Sequence, residues 1–506
     1  MNRKVGVILS YCLMFIEVLS TLFLTPFVIR SLGQAEYGVY RLATAVNAYL
    51  LLLDLGVGNA TTRYIAKYKA ENDKFSEKSF LGIATIYYAG VAGITIVSGI
   101  ILILVFPNVF ATGLTYDEII LGQKLLGITM LNSAITLGTT AYTNTIVAYE
   151  HFGVSKGVAI GELIIRSGLT LFVLKIGSGS VGLVSINLIT TVICRAIFII
   201  YVRIQLKLYP IFKGIKKGFV KEVFVYSSFV LLQMIATQLN QSVDQILLGM
   251  FVASSSAIIG VYAIGAQIVQ YFISIGSAFK GVMMPGIVGM VSRKASDRVL
   301  IDEMIRIGRI TYMILALLWI GFVICGKRFI NLWAGAGNIE AYSVSVILMF
   351  AQMFLLTLSV GQYVLWALNE HKELAILKIL VVICNIFLTI ILINWKPLLG
   401  ATIGTFISLI LGDVVAMTFV YKKKLNLKIH NYYAKLLKGI TVCMGISGMV
   451  GFITDKFLPY TWYGMIALAF VITFIYCVSM YLFGMNEYEK NLINLLINKV
   501  KGKTKE

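Results

Sequence analysis

Long apolar stretches separated by short polar connections recur along the whole chain. We identify about fourteen of them in its 506 residues. Most reach the ~20 residues that a helix needs to cross a hydrocarbon core ~30 Å thick. The stretches lie at 5–29, 38–60, 80–106, 119–148, 157–176, 182–204, 223–251, 258–285, 308–329, 342–369, 375–395, 398–421, 437–457 and 462–483. The pattern predicts an all-α integral membrane protein with about fourteen transmembrane helices.

Composition argues against the other broad classes of protein. Charged residues make up 13% of the chain, whereas a typical soluble protein has roughly a quarter. A transmembrane β-barrel would show alternating segments of about ten residues, and the sequence lacks them. The six cysteines all lie within apolar stretches, so we expect buried thiols and neither disulfides nor a metal site.

Basic residues are unevenly distributed between the two sides of the predicted membrane. Of the 43 Lys and Arg residues, 32 fall in the termini and the even-numbered connections, whereas 8 fall in the odd-numbered connections. The positive-inside rule therefore places both termini in the cytoplasm and predicts a multi-pass protein of the cytoplasmic membrane. Basic loops beside anionic lipid headgroups explain the net charge of +20, so we expect membrane lipids and no nucleic acid as partners.

A short internal repeat suggests two halves with the same orientation. Gly38-Val39-Tyr40 opens the second stretch, and Gly260-Val261-Tyr262 opens the eighth, 222 residues later. Six spans separate the copies, which is the pattern of a parallel repeat in a transporter. We therefore predict an N-lobe at 1–206 (spans 1–6), a cytoplasmic linker at 207–222, a C-lobe at 223–421 (spans 7–12), and two extra helices with a basic tail at 422–506.

The seventh stretch carries an unusual polar stripe. Five of its polar side chains recur every three or four residues and so share one face of a helix: Gln233, Thr237, Asn240, Gln241 and Asp244. We predict that this face lines a hydrated cavity. The alternative is that these side chains join neighbouring helices through hydrogen bonds.

Ionisable side chains also lie inside other stretches, where an ion costs at least ~2.5–3.5 kcal/mol unless it meets protein or water. They include Glu17, Asp54, Glu162, Arg166, Arg195 and Lys280. Glu162 and Arg166 are four residues apart, which favours either an intrahelical ion pair or a cavity role for the arginine. Arg195 suits either an acid or an anionic substrate, and Lys280 lies near enough to the inner interface to snorkel. Glu17 is a candidate proton- or cation-linked carboxylate.

The segment Gly321 to Lys327 imitates a phosphate-binding loop, but Arg328 replaces the Ser or Thr that would hold magnesium. We therefore expect no ATP site, no cofactor and no bound metal. Transport would depend on a gradient, on the membrane potential or on substrate flux, with H⁺ or Na⁺ as the candidate coupling ion.

Several motifs resemble those of a known family. They are TPFVIRSLG at 25–33, EYGVY at 36–40, DLGVG at 54–58, TRY at 62–64, Asp244 with LLG at 247–249, and GATIGT at 400–405. The N-terminal set resembles the signature of the polysaccharide transporter family. Its members are Wzx-type flippases of lipid-linked oligosaccharides, within the superfamily of multidrug, oligosaccharidyl-lipid and polysaccharide exporters. The likeness covers spans 1–12.

The resemblance implies two six-helix lobes in a V around a central cavity, with two extra C-terminal helices. It implies a transporter and not an enzyme. Such a transporter moves undecaprenyl-pyrophosphate-linked oligosaccharide across the membrane by alternating access, for surface polysaccharide assembly. A glycan polymerase is then a candidate partner. By the same analogy, Asp244 is a candidate for gating or ion coupling. The candidates for binding the pyrophosphate are Arg30, Arg63, Arg166, Arg195 and Lys280.

Three other functions are weighed against this one. A cation-coupled multidrug or toxin extruder of the same superfamily would need a carboxylate in its cavity, with Glu17 as the candidate. A membrane enzyme such as a glycan polymerase or ligase usually needs a large outer loop, and the sequence has none. A non-transporting scaffold is the third alternative.

Overall fold

The computed structural model describes residues 3–212, 217–368 and 371–500, and every regular element in these ranges is helical. The all-α prediction is therefore confirmed. In the first half the helices are α1 Arg3–Ala48, α2 Val57–Ala70, α3 Lys74–Phe110, α4 Tyr116–Gly138, α5 Thr140–Ala148, α6 Phe152–Ile176, α7 Gly179–Ile204 and α8 Lys217–Phe251. In the second half they are α9 Ser256–Ser292, α10 Asp297–Ala334, α11 Ala341–Ala367, α12 His371–Ile393, α13 Pro397–Ser408, α14 Met417–Leu425, α15 Ile429–Leu437, α16 Ile440–Asp455, α17 Trp462–Ser479 and α18 Glu487–Val500.

Eleven helical runs in the described residues are long and apolar enough to cross a membrane, or twelve if the bent pair α15–α16 counts as one span. The chain is therefore a multi-pass membrane protein, but the predicted number of about fourteen is not confirmed. Predicted spans 1 and 2 contribute to the difference because they fall in one helical run, Leu9–Ala70.

A single residue interrupts the long helix α1. Gly33 has φ 73° and ψ 174°, a conformation that is essentially restricted to glycine. The prediction of an outer loop between residues 29 and 38 was wrong, because helix resumes directly after this residue. Glycine allows the chain to change direction without a loop.

Two further predicted spans are broken inside the apolar region. α1 is followed by the 3-10 helix Leu50–Asp54 and by left-handed Leu55 and Gly56, after which α2 begins. The stretch at 119–148 is divided into α4 and α5 at Thr139. Apolar periodicity therefore predicted where helix lies but not these internal turns, which bring polar side chains together below.

Contacts between residues divide the chain into two compact units. The first contains residues 1–263 with 393–398, and the second contains 264–392 with 399–506. Within the first unit, α3 packs on α4, α1 on α6, and α7 on both α4 and α6. Within the second, α10 packs on α11 and on the C-terminal pair α16–α17. The predicted lobes at 1–206 and 223–421 stay a prediction.

The two glycines of the internal repeat pack against each other's helices within the first unit. A Cβ on Gly38 would lie 1.7 Å from the carbonyl oxygen of Ser256, and a Cβ on Gly260 would lie 2.6 Å from that of Gln34. Small residues allow helix backbones to approach closely in membranes. The repeat motif therefore marks a backbone-to-backbone contact between α1 and the start of α9.

Two buried arginines on α10 bind the C-terminal helices of the second unit. Arg309 forms an ion pair with Glu489, with Nε 2.6 Å from Oε1, and donates to the carbonyl oxygens of Lys435, Lys438 and Gly484. Arg328 pairs with Asp455 at 2.8 Å and donates to the carbonyl oxygens of Leu458 and Pro459. These interactions join both ends of α10 to the segment that carries predicted spans 13 and 14.

We expect Gly38→Ala to destabilise the protein, because the added methyl group collides with a backbone carbonyl that cannot move alone. Gly93→Ala on α3 is the matched control, since a Cβ there meets nothing within 4 Å and alanine favours helix by about 1 kcal/mol. Thermal unfolding of the purified protein in detergent should show a lower midpoint for Gly38→Ala only. Equal midpoints for the two variants would contradict the close approach.

Candidate functional site

Two half-buried arginines lie in the apolar helices α6 and α7. Arg166 Nη1 donates to Asn187 Oδ1 at 3.1 Å, and Arg195 Nη1 donates to Thr143 Oγ1 at 2.8 Å. A guanidinium has five N–H donors, and these are the side-chain bonds that the two make among the described residues. Both arginines therefore keep donors for further acceptors within apolar helices.

The acid of this cluster is Glu162 on α6. It interacts electrostatically with Arg195 and with Cys194 on α7. No ion pair joins Glu162 to Arg166 in the described part of the chain; Arg166 turns instead to Asn187. Helices α5, α6 and α7 thus bring together two guanidiniums, one carboxylate, a hydroxyl and an amide. We call this the α5–α7 cluster: Thr143, Glu162, Arg166, Asn187 and Arg195.

Asp54 belongs to a second polar group beside this cluster. The Tyr88 hydroxyl donates to Asp54 Oδ1 at 2.7 Å. A Cβ on Gly58 would lie 2.8 Å from Asn144 Nδ2 and 3.6 Å from Asp54 Oδ2, so both polar ends adjoin the same small residue. Asn144 Nδ2 is buried and has no hydrogen-bond partner among the described residues. Because Asn144 follows Thr143 on α5, that helix connects the Asp54 group with the α5–α7 cluster.

The polar stripe on α8 does not behave as a single surface. Asp244 is 3% exposed and accepts a hydrogen bond of 2.5 Å from the Tyr262 hydroxyl on α9. It also interacts electrostatically with Tyr49. Asn240 is half-buried, whereas Thr237 and Gln241 are exposed. The side chain of Gln233 lies outside the described residues. Asp244 therefore joins two helices, whereas Thr237 and Gln241 of the same stripe lie on the exposed surface of the protein.

The remaining predicted site residues are not assembled with the α5–α7 cluster. Arg30 and Arg63 are exposed on α1 and α2, and the Arg63 guanidinium lies 6.0 Å from the Tyr64 ring centre. Glu17 is exposed on α1, one turn before Ser20, whose hydroxyl lies 2.6 Å from that of Ser167 on α6. The Lys280 side chain lies outside the described residues. These positions stay predictions.

Sequence reasoning missed an ion pair inside the second unit. Lys378 Nζ lies 2.5 Å from Asp413 Oδ1, and Asp413 is 1% exposed. Lys378 lies about two turns inside α12, which begins at His371. Asp413 belongs to the π-helix Leu409–Ala416, and such segments often mark functional sites. The sequence offered one signal for this ion pair. Lys378 lies near the start of one apolar stretch, and the next stretch contains a single acid, Asp413.

A polar track continues along α12 beyond this pair. Asn385 Oδ1 accepts hydrogen bonds from Thr389 at 2.9 Å and from Thr405 of α13 at 3.3 Å. All three are buried, and Asn385 Nδ2 has no partner among the described residues. These side chains lie in the predicted stretches 375–395 and 398–421.

Breaking one side of the Lys378–Asp413 pair should destabilise the protein more than removing both charges. A lone charge left in the protein interior costs about 3–5 kcal/mol, whereas an apolar or neutral replacement of the whole pair is often nearly neutral. Thermal unfolding of Lys378→Met, Asp413→Asn and the double variant should show the double variant as the most stable of the three. Additive losses would exclude a direct interaction.

A network of charged and polar side chains lies at the end of the first unit that contains the basic residues of the segment 61–79. Glu77 is fully buried and accepts hydrogen bonds from Lys74 Nζ at 2.8 Å and from the Tyr149 hydroxyl. Nearby, His151 Nδ1 lies 2.8 Å from the Tyr201 hydroxyl, and Lys69 Nζ lies 4.3 Å from the centre of the Tyr149 ring. Partial burial, and then the charge of Lys69, lower the pKa of His151 below its ordinary value.

The unfolded chain therefore binds a proton at His151 more readily than the folded chain. The resulting stability is present above the ordinary histidine pKa of ~6.5 and is lost as the pH falls through the lower folded pKa. We expect the unfolding midpoint to fall less between pH 7.5 and pH 5.5 in His151→Gln than in the wild type. His430→Gln, at an exposed histidine on α15, is the control and should keep the wild-type slope.

The chain is similar to known proteins in sequence and in fold. Residues 3–291 match the family described as "Polysaccharide biosynthesis protein". No curated protein matches the chain in sequence.

Among solved structures, the lipid II flippase MurJ in an inward closed conformation matches with a TM-score of 0.72 and 15% identity, covering 97% of this chain and 100% of that one. An inward-facing multidrug resistance MATE family transporter of the MOP superfamily matches at 0.59 and 15%, covering 80% and 96%. A MOP superfamily transporter from Pyrococcus furiosus matches at 0.52 and 14%, covering 85% and 98%. At these identities the likeness shows a shared fold.

Proposed function

Because the chain belongs to the polysaccharide biosynthesis protein family, we propose that it is a flippase of undecaprenyl-pyrophosphate-linked oligosaccharide repeat units. It moves them across the cytoplasmic membrane by alternating access, for the assembly of surface polysaccharide. Family membership confirms the resemblance that the motifs at 25–33 and 36–40 predicted. The fold shared with MurJ, which is named as a lipid II flippase, supports transport of a lipid-linked substrate.

The observation that carries the proposal is the pair Arg166 and Arg195. Both guanidiniums lie within apolar helices and bond to neutral partners, an amide and a hydroxyl. Charge-assisted bonds from arginine to phosphate are among the strongest in proteins, and the planar fork binds two oxygens at once. A pyrophosphate supplies anionic acceptors in addition to Glu162, the one carboxylate of this cluster. Sugar hydroxyls suit the nearby amides Asn187 and Asn144 and the hydroxyl of Thr143.

Alternating access needs an element whose contacts change between states. We assign this part to Asp244, whose hydrogen bond to Tyr262 joins α8 to α9. Protonation of a buried carboxylate weakens its acceptor role and removes its charge, so H⁺ is the coupling ion that this pair favours over Na⁺. Both termini face the cytoplasm in this proposal, and a glycan polymerase receives the product on the outer side.

Replacing Arg195 or Arg166 with Ala should reduce flipping at least tenfold, because a charge-assisted hydrogen bond contributes about 1.5–3 kcal/mol. Lipid-linked glycan should accumulate in the inner leaflet, as measured by labelling in sealed inverted vesicles. Arg203→Ala is the control, since Arg203 is exposed near the end of α7. Normal surface glycan in both cluster variants would refute their role.

A second candidate is a cation-coupled extruder of drugs or toxins. The fold shared with a multidrug resistance transporter and the exposed carboxylate of Glu17 within α1 favour it. This function predicts that expression raises drug resistance and that Glu17→Gln abolishes the effect. Resistance that is independent of Glu17, or absent, favours the flippase.

A further inference from the structure

A cavity of about 510 Å³ lies in the second unit, between the first turns of α10 and the segment that joins α14 to α15. Three cations line it, Arg298, Lys428 and Lys435, together with two carboxylates, Asp297 and Asp302. Aliphatic side chains, amides and Tyr432 complete the wall. Its volume is in the range of small-molecule sites, and it is separate from every residue of the α5–α7 cluster.

The cations of this cavity are not matched by the protein's own acids. Within the described ranges, no ion pair joins Arg298, Lys428 or Lys435 to a carboxylate. Asp297 is partly engaged already, because Oδ2 accepts a hydrogen bond of 3.0 Å from Asn426 Nδ2. Three cations against two carboxylates leave a positive wall, which attracts an anion.

One residue of the cavity wall is almost completely buried. Tyr432 is 2% exposed, and its hydroxyl is buried without a hydrogen-bond partner among the described residues. The Tyr432 side chain packs in the hydrophobic core of the second unit, so the charges of the cavity and not this hydroxyl carry the argument for a ligand.

The wall of the cavity is held rigidly on one side. The Arg309 guanidinium donates to the carbonyl oxygens of Lys435 at 2.6 Å and of Lys438 at 3.1 Å, and Glu489 neutralises it. This fixes the last turn of α15, from which the Lys435 side chain projects. A binding group on a fixed backbone loses less freedom when it meets a ligand.

The position of the cavity indicates where its ligand comes from. α15 buries Tyr432 and Leu436 in the core of the second unit and exposes Asn431 and Lys435. The preceding helix α14 ends in three consecutive lysines, Lys422 to Lys424. The orientation in the proposed function places this end at the inner leaflet, where anionic headgroups attract basic side chains.

We propose that this cavity binds the headgroup of an anionic phospholipid of the inner leaflet. Arg298, Lys428 and Lys435 contact the phosphodiester. Asp302 accepts hydrogen bonds from headgroup hydroxyls, and the amide of Asn431 donates to them. Phosphatidylglycerol has both features. The inference rests on the proposed orientation and not on the transported substrate. A soluble phosphate ester has the same chemistry and is distinguished by the test.

The test uses the full-length protein in detergent and measures bound phosphatidylglycerol by native mass spectrometry, with phosphatidylcholine for comparison. Lys428→Gln with Lys435→Gln should lower phosphatidylglycerol binding on the order of tenfold, because each cation near anionic lipid contributes about 1 kcal/mol. Lys422→Gln with Lys423→Gln is the matched control. It removes the same charge from exposed lysines at the same end of the unit, and binding should stay within about twofold of the wild type.

Three outcomes would overturn the proposal. Equal losses in both double variants would mean attraction to a basic surface and no site. Unchanged binding in Lys428→Gln with Lys435→Gln, folded by size-exclusion chromatography, would exclude the cavity. Displacement of the lipid from the wild type by millimolar glycerol phosphate would assign the cavity to a soluble phosphate ester. None of these readouts depends on flipping, so the result stands apart from the Arg195→Ala experiment.

Discussion

An ionised side chain inside an apolar helix must meet a partner, and this requirement organises the second unit. Arg309 and Arg328 are nineteen residues apart on α10, which corresponds to roughly 28 Å along a helix. That length is close to the thickness of a hydrocarbon core. The two guanidiniums are therefore separated by about the distance between the two faces of a hydrocarbon core. Each meets an acid and carbonyl oxygens of the C-terminal segment, so α10 binds that segment at two widely separated points.

In the first unit the arginines inside apolar helices have different partners. Arg166 and Arg195 bond to an amide and a hydroxyl, and their carboxylate neighbour Glu162 forms no close ion pair with Arg166 in the described residues. The two arginines on α10 each meet a carboxylate, whereas Arg166 and Arg195 keep guanidinium donors for further acceptors. A structural role is the simplest account of the α10 pair, and ligand binding is the simplest account of Arg166 and Arg195. The contrast between these two pairs of arginines supports placing the substrate site in the first unit.

The sequence predicted the helical class well because apolar periodicity depends only on local composition. It also placed Arg166, Arg195 and Asp244 inside helices. It could not predict the partners, because packing between separate helices brings Thr143, Asn187 and Tyr262 to them. The same limit applies to Lys378 of α12, because its partner Asp413 belongs to another helical segment. Broken spans escaped for a different reason, since Gly33 and Thr139 interrupt a helix without interrupting its hydrophobicity.

Gly33 also determines the direction of the helical segment that precedes it. Nearly all of α1 on either side of it is helical, so the change of direction is concentrated in the two dihedral angles of one residue without a Cβ. The segment before Gly33 is bonded to α6, where the Ser20 hydroxyl lies 2.6 Å from that of Ser167. The backbone angles of a single glycine therefore set the direction of the helical segment that carries the exposed acid Glu17.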